Sequence, residues 1–100
     1  MSTSNNTFRQ CVIDILEQAV KRDDITTICS LWNIFDFLEC DYAEYDGLDR
    51  IDMIDFLASV IQAMKQGIDK KVIIECIDNL ANHPETAEAY YRLLNLLDTE

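Results

Sequence analysis

Apolar residues recur in this chain at spacings of three and four, and this periodicity constrains the fold more than any other feature. Five segments show it, and none alternates apolar and polar residues as a half-buried strand does. Only two glycines and one proline occur in 100 residues, so few positions interrupt a helix. The sequence therefore predicts an all-α fold, a compact bundle of about five short amphipathic helices.

The first predicted helix follows a short polar stretch. Residues 1–6 are expected to be a flexible polar N-terminus and residues 7–100 a single helical domain, with Asn6 or Thr7 as the first N-cap. The apolar face of this helix consists of Phe8, Cys11, Val12, Ile15, Leu16, Ala19 and Val20.

The second predicted helix runs from about Ile25 to Cys40, with Asp23 or Asp24 as its cap. It is apolar around most of its circumference, which predicts a position in the centre of the domain. Its apolar arc consists of Ile25, Ile28, Leu31, Trp32, Ile34, Phe35 and Leu38.

Three further helices are predicted after a polar link. The third runs from about Leu48 to Gln66 with Gly67 as its C-cap, the fourth from Asp69 to about Leu80, and Pro84 suits the first turn of the fifth. The expected core residues are Ile51, Met53, Ile54, Leu57, Val60, Ile61 and Met64, then Val72, Ile73, Cys76, Ile77 and Leu80, then Ala87, Tyr90, Leu93, Leu94 and Leu97. The outer stripe of the third helix includes Asp55 and Ser59. Short connections make sequential helices neighbours, either in a bundle or in a short solenoid of stacked hairpins.

No motif supports catalysis, a cofactor or a metal. His83 is the single histidine and lies beside Pro84 at a helix junction, where a turn or capping role is expected. Two glycines are too few for a phosphate-binding loop. An EF-hand aligned on Gly47 places Tyr42 first and Met53 twelfth, and neither can be a ligand there. We therefore expect a non-enzymatic protein.

The cysteines and the N-terminal residues bear on the cellular compartment. Cys11, Cys29 and Cys76 fall on apolar faces and no C-x-x-C pair occurs, which predicts reduced core thiols in a cytoplasmic protein. The first residues lack the basic and apolar regions of a signal peptide, and no apolar run approaches the length of a membrane span.

Acidic residues are concentrated in one stretch. The formal net charge is −11, which argues against direct binding to nucleic acid or to an anionic membrane and favours a cationic partner. Ten acidic residues and one basic residue lie between Asp23 and Asp55, with Phe37, Tyr42 and Tyr45 among them. The predicted partner-binding residues are Phe37, Glu39, Asp41, Tyr42, Glu44, Tyr45, Asp46, Asp49, Asp52 and Asp55.

Two interpretations of this stretch remain open. It can be a solvated link whose acids favour helix N-termini, or an interface in which aromatic anchors lie inside a charged surface that attracts a partner. On the second interpretation, the protein is a stoichiometric inhibitor that masks the cationic surface of a toxin or nuclease, with carboxylates in the place of phosphates.

His83-Pro84 followed by Tyr90-Tyr91 is similar to the His-Pro and Tyr-Tyr stretch of the colicin DNase immunity proteins, which also carry an acidic helix upstream. The spacing differs by one residue, and Arg92 stands where that family has a proline. The resemblance covers about a tenth of the chain and implies inhibition of a nuclease.

An alternative function follows from the apolar margins of the helices. A helical adaptor or assembly subunit would act through apolar packing, and a homodimer is possible. Ile13, Phe56, Ile74 and Tyr91 lie at the edges of the predicted apolar faces and are the expected patch.

Overall fold

Five α-helices make up the part of the chain that the structure describes. The structure is a computed structural model; it describes residues 3–38, 53–83 and 87–98, with side chains described for residues 10–36 of the first range and throughout the other two. The helices are α1 (Thr3–Lys21), α2 (Ile25–Leu38), α3 (Met53–Lys65), α4 (Lys70–Asn82) and α5 (Glu88–Asp98). The predicted all-α bundle is confirmed.

The helices pack in a closed ring. Going around it, α1 contacts α2, α2 contacts α3, α3 contacts α5, α5 contacts α4, and α4 returns to α1, while α3 also touches α4. The Cα radius of gyration is 12.7 Å, close to the value of about 13 Å for a compact domain of this length. Because the α1–α4 and α3–α5 contacts close the ring, the arrangement is a bundle and not an open solenoid.

The helix boundaries differ from the predicted ones mainly at the N-termini. α1 already begins at Thr3, before the expected cap at Asn6 or Thr7. α4 begins after Asp69, whose side chain accepts a hydrogen bond from the backbone N–H of Lys71, so this predicted start is confirmed. Pro84, the expected first turn of the last helix, lies outside the described residues.

The helices α1 and α3 end in the same way. After α3, Gly67 has φ 83°, and the N–H groups of Gly67 and Ile68 donate to the carbonyls of Met64 and Ala63 at 3.1 and 3.0 Å. After α1, Asp23 has φ 56°, and the N–H groups of residues 23 and 24 donate to Val20 and Ala19 in the same pattern. Both are Schellman motifs with a left-handed residue. Gly67 therefore ends α3 as predicted, whereas Asp23 takes a position that usually holds glycine.

The core includes residues that the sequence pattern placed outside it. Ile13 and Phe56 are 1% and 0% exposed, and Ser59, expected on the outer stripe of α3, is also buried. α3 contacts three other helices, so its buried face is wider than the apolar stripe alone. Among the residues whose side chains are described, the buried ones are Val12, Ile13, Leu16, Ala19, Val20, Ile28, Leu31, Phe35, Met53, Phe56, Leu57, Ser59, Val60, Ala63, Ile73, Cys76, Ile77, Leu80, Ala89 and Leu93.

The buried face of α1 is rotated relative to the predicted one. It turns toward Ile13, which leaves Ile15 44% exposed and Cys11 on the surface. The expectation that Cys11 belongs to the core is therefore wrong. The reason is that α1 packs against both α2 and α4, which together cover only one side of its apolar stripe.

α2 is not the central helix that its composition predicted. It packs against α1 and α3, and Ile34 on its other side is 53% exposed. Trp32 is only partly buried, yet its indole Nε1 is buried and has no hydrogen-bond partner among the described residues. α3 and α4 each contact three other helices, whereas α2 contacts two. The fold therefore covers less of the apolar surface of α2 than its composition predicted.

Candidate functional site

Most of the predicted partner-binding residues lie outside the part of the chain that the structure describes. These are Glu39, Asp41, Tyr42, Glu44, Tyr45, Asp46, Asp49 and Asp52. Phe37 belongs to α2, but its side chain is outside the described set. Asp55 is exposed in the first turn of α3.

Two exposed aspartates, Asp36 and Asp55, lie on either side of residues 39–52, which we call the acidic segment, and their positions on the helices differ. Asp55 lies in the first turn of α3, where the positive end of the helix dipole stabilises a carboxylate. Asp36 lies in the last turn of α2, where the dipole disfavours a negative charge and no basic residue is present to offset it. The helix dipole therefore explains Asp55 but not Asp36.

Basic residues gather where α1 and α3 end and α4 begins. Residues 21–24 and 65–71 hold five of the eight basic residues of the chain and only three acidic ones. The five are Lys21, Arg22, Lys65, Lys70 and Lys71, all exposed. We call this region the basic end. No local pattern in the sequence signals it, because its residues come from two separate links, although each link follows a helix C-terminus, where cations are favourable.

Asp23 and Asp24 belong to the basic end and not to the acidic segment. Asp23 pairs with Lys70, whose Nζ lies 2.9 Å from its carboxylate and also donates to the carbonyl of Lys21. Asp24 accepts hydrogen bonds from the hydroxyl and the N–H of Thr27 at 2.6 and 3.1 Å, which caps α2 and lowers the pKa of Asp24. Both carboxylates are thus engaged in local structure.

The ends of α2 and α3 to which the acidic segment is attached lie away from the basic end. α2 begins at the basic end and α3 ends there, so Leu38 and Met53 lie at the far ends of these helices. The length of either helix places that far end about 20 Å away. The acidic segment is attached to the chain at those two points.

An open cleft of about 580 Å³ lies at the basic end. It is bounded by the two Schellman turns and the first turns of α4. Met64, Ile68 and Ile74 supply apolar walls, and each is only partly buried. Lys21 and Lys71 also line the cleft, and neither forms an ion pair with a described residue.

A carboxyl pair joins α1 to α4. The side chain of Glu17 is hydrogen-bonded to Asp78, and this bond, partial burial and the charge of Asp78 raise the pKa of Glu17 to about 7. Asp14 adds to the rise and Lys21 opposes it. No local pattern in the sequence signals this pair, because the two residues are brought together only by helix packing.

The remaining reactive groups of the described residues do not form a site. Cys29 is half-buried and Cys76 is buried, where burial raises the pKa of its thiol, and the described cysteines are all free. The backbone N–H of His83 donates to Asn79 and caps α4. No group of three potential metal-binding side chains occurs among the described residues. None of the described helices has the length and apolar character needed to cross a bilayer.

The predicted homodimer patch is not a continuous surface. Ile13 and Phe56 belong to the core, and Ile74 lies in the wall of the cleft. Tyr91 is 59% exposed, and its ring lies 5.6 Å from that of Tyr90. Of the four residues expected in the patch, only Tyr91 is clearly available to a partner.

Comparison with known proteins gives no relative for this chain. No family model, no curated protein and no solved structure matches it. The short resemblance to the colicin DNase immunity proteins is therefore not supported by a family match.

Proposed function

We propose that this chain is a small acidic, non-enzymatic protein that binds a cationic protein partner. In this proposal it acts in the cytoplasm as a stoichiometric inhibitor and covers the nucleic-acid-binding surface of a toxin or nuclease. The observation that carries the proposal is that the basic end and the attachment points of the acidic segment lie at opposite ends of α2 and α3. Basic residues gather at one end, and the acidic segment is attached at the other.

The position of Asp36 favours the interpretation of the acidic segment as an interface over its interpretation as a solvated link. Its carboxylate lies in the last turn of α2, where the helix dipole makes it costly, and seven further acids follow between residues 39 and 55. Repulsion among these charges lowers the stability of the isolated chain. A cationic partner would relieve both costs, and a nuclease groove that receives phosphates is cationic.

The separation of charge also fits an oriented encounter. A protein with a net charge of −11 attracts basic proteins from any direction, but the basic end repels them locally. The acidic end would then face the partner in most encounters. This should appear as a fast, salt-sensitive association rate.

The test measures binding and inhibition with a panel of purified cationic nucleases, with lysozyme as a basic protein that is not a nuclease. We expect an equimolar complex that blocks cleavage by at least one nuclease, without comparable binding of lysozyme. Equal affinity for lysozyme would show that binding is only unspecific charge attraction. Inhibition of none of the nucleases would contradict the proposal.

A matched pair of double variants locates the interface. The first variant, Asp36→Lys with Asp55→Lys, reverses two negative charges beside the acidic segment. One is in the last turn of α2 and the other is in the first turn of α3. Glu88→Lys with Asp98→Lys makes the same net change at the first and last turns of α5. We expect the first pair to slow association about tenfold more than the second. Equal effects would place the interface elsewhere.

A further inference from the structure

We propose that the cleft at the basic end binds a small amphipathic carboxylate, a molecule with one anionic head and a short apolar body. The site is separate from the proposed partner interface, because the acidic segment is attached at the other ends of α2 and α3. Its volume of about 580 Å³ falls within the range of about 300–1,000 Å³ that is typical of small-molecule sites.

The walls of the cleft suit an apolar body. Met64 and Ile68 come from the end of α3 and the turn after it, and Ile74 comes from the second turn of α4. All three pack against the core and remain partly exposed toward the cleft. An apolar ligand would remove this surface from water, which is the main favourable contribution in such sites.

The charges around the cleft select an anion. Of the charged groups that line it, Asp23 is paired with Lys70, and Asp69 caps α4 through the N–H of Lys71. Lys71 keeps an ammonium group without an ion-pair partner among the described residues, and the charge of Lys21 also acts on the Glu17 carboxylate. A carboxylate in the cleft would complement these two charges, whereas a cationic head would be repelled.

The cleft is open to solvent and is formed by three chain segments: the turn after α1, the turn after α3, and the start of α4. The Lys70 ammonium group bridges two of these segments through Asp23 and the carbonyl of Lys21.

In the test, octanoate is titrated into the isotopically labelled full chain at constant ionic strength. Binding is monitored through the amide chemical shifts. Acetate serves as the head-group control. We expect saturable shifts at Gly67, Ile68, Lys71 and Ile74 with octanoate and none with acetate. Shifts that do not saturate, or that scatter over the whole surface, would overturn the proposal.

Two charge-matched variants test the head-group contact. Lys71→Glu should weaken octanoate binding at least about fivefold, because a repulsion replaces an attraction. Lys65→Glu makes the same change in net charge on an exposed residue outside the lining and should weaken binding less than about twofold. Equal weakening would show a general charge effect and contradict a site at Lys71. Unchanged helicity and thermal midpoint confirm that both variants fold.

Discussion

Glu17 on α1 and Asp78 on α4 share a hydrogen bond between their carboxyl groups, and the pKa of Glu17 rises from 4.5 to about 7. Two carboxyl groups need a proton to form such a bond. The folded chain therefore binds that proton more tightly than the unfolded chain does. The resulting stabilisation is complete below about pH 4.5 and is lost as the pH rises through about 7.

Glu17→Gln should remove this pH dependence. The amide donates a hydrogen bond to Asp78 at every pH and carries no charge. Since Glu17 is only partly buried, solvent screening limits the gain in unfolding free energy to about 1 kcal/mol at about pH 8, with little change at about pH 4. Urea unfolding at both pH values measures it. Asp14→Asn removes a nearby charge without touching the bond and should show less than half the effect.

The two Schellman turns should respond in opposite ways to substitution. Gly67→Ala places a Cβ on a residue with φ 83° and should destabilise the fold by about 1 kcal/mol, although nothing lies within 4 Å of that Cβ. Asp23→Gly relieves the strain of the same left-handed conformation but loses the exposed ion pair with Lys70. At about 1 M salt, where that pair is screened, Asp23→Gly should stabilise by about 0.5 kcal/mol. Chemical denaturation checks both, and destabilisation by Asp23→Gly in high salt would contradict the assignment.

Asp36→Asn should make the isolated chain more stable and a worse binder. Removing a negative charge from the last turn of α2 should raise the unfolding free energy by about 0.3–0.5 kcal/mol. Asp55→Asn, in the first turn of α3, should lower it by a similar amount. Both variants should weaken an acidic interface. Thermal unfolding and binding to the inhibited nuclease are the two measurements, and a loss of stability in Asp36→Asn would refute the dipole argument.

Trp32 offers a test of the unpaired indole nitrogen. Trp32→Phe removes a buried N–H without a partner and also removes apolar area, so the two effects oppose each other. We expect a change in unfolding free energy below about 1 kcal/mol. Trp32→Ala loses most of the ring contact and should destabilise by about 2–3 kcal/mol, less than for a fully buried aromatic residue. A large loss in Trp32→Phe would mean that the N–H is hydrogen-bonded after all.

Phe56 on α3 and Tyr91 on α5 were both expected at the margins of apolar faces, and only Phe56 is buried. Phe56→Ala should destabilise by about 3–5 kcal/mol because the ring is fully buried. Tyr91→Ala should cost less than about 1 kcal/mol because that ring is 59% exposed. Guanidinium unfolding compares them. Similar losses of stability would mean that Phe56 lies at the margin of the apolar face, as the sequence pattern predicted, and not in the core.

The fold was predictable because helix periodicity and capping are local. Gly67 ends α3 and Asp69 caps α4, as the sequence predicts, and the buried residues of α4 follow its apolar spacing. Ile13, Ile34 and Phe56 were misplaced for a different reason. An apolar stripe does not show which side neighbouring helices cover, and that depends on the order of the ring.

The charged features were predictable only in part. The acidic stretch is continuous in the sequence, so counting finds it, and its role stays a prediction. The basic end, the cleft between Lys21 and Ile74, and the Glu17–Asp78 pair all join residues more than 40 positions apart. No local pattern relates such residues, because packing alone brings them together.

The order of the ring has a consequence for the timing of synthesis. α5 lies between α3 and α4, and its residues Ala89 and Leu93 complete the core. Translation delivers α1 to α4 first, and these four helices then expose the apolar surfaces that α5 will cover. Until α5 has left the ribosome, the ring stays open on that side. Chaperones that recognise exposed apolar surface therefore have a defined interval in which to act on the nascent chain.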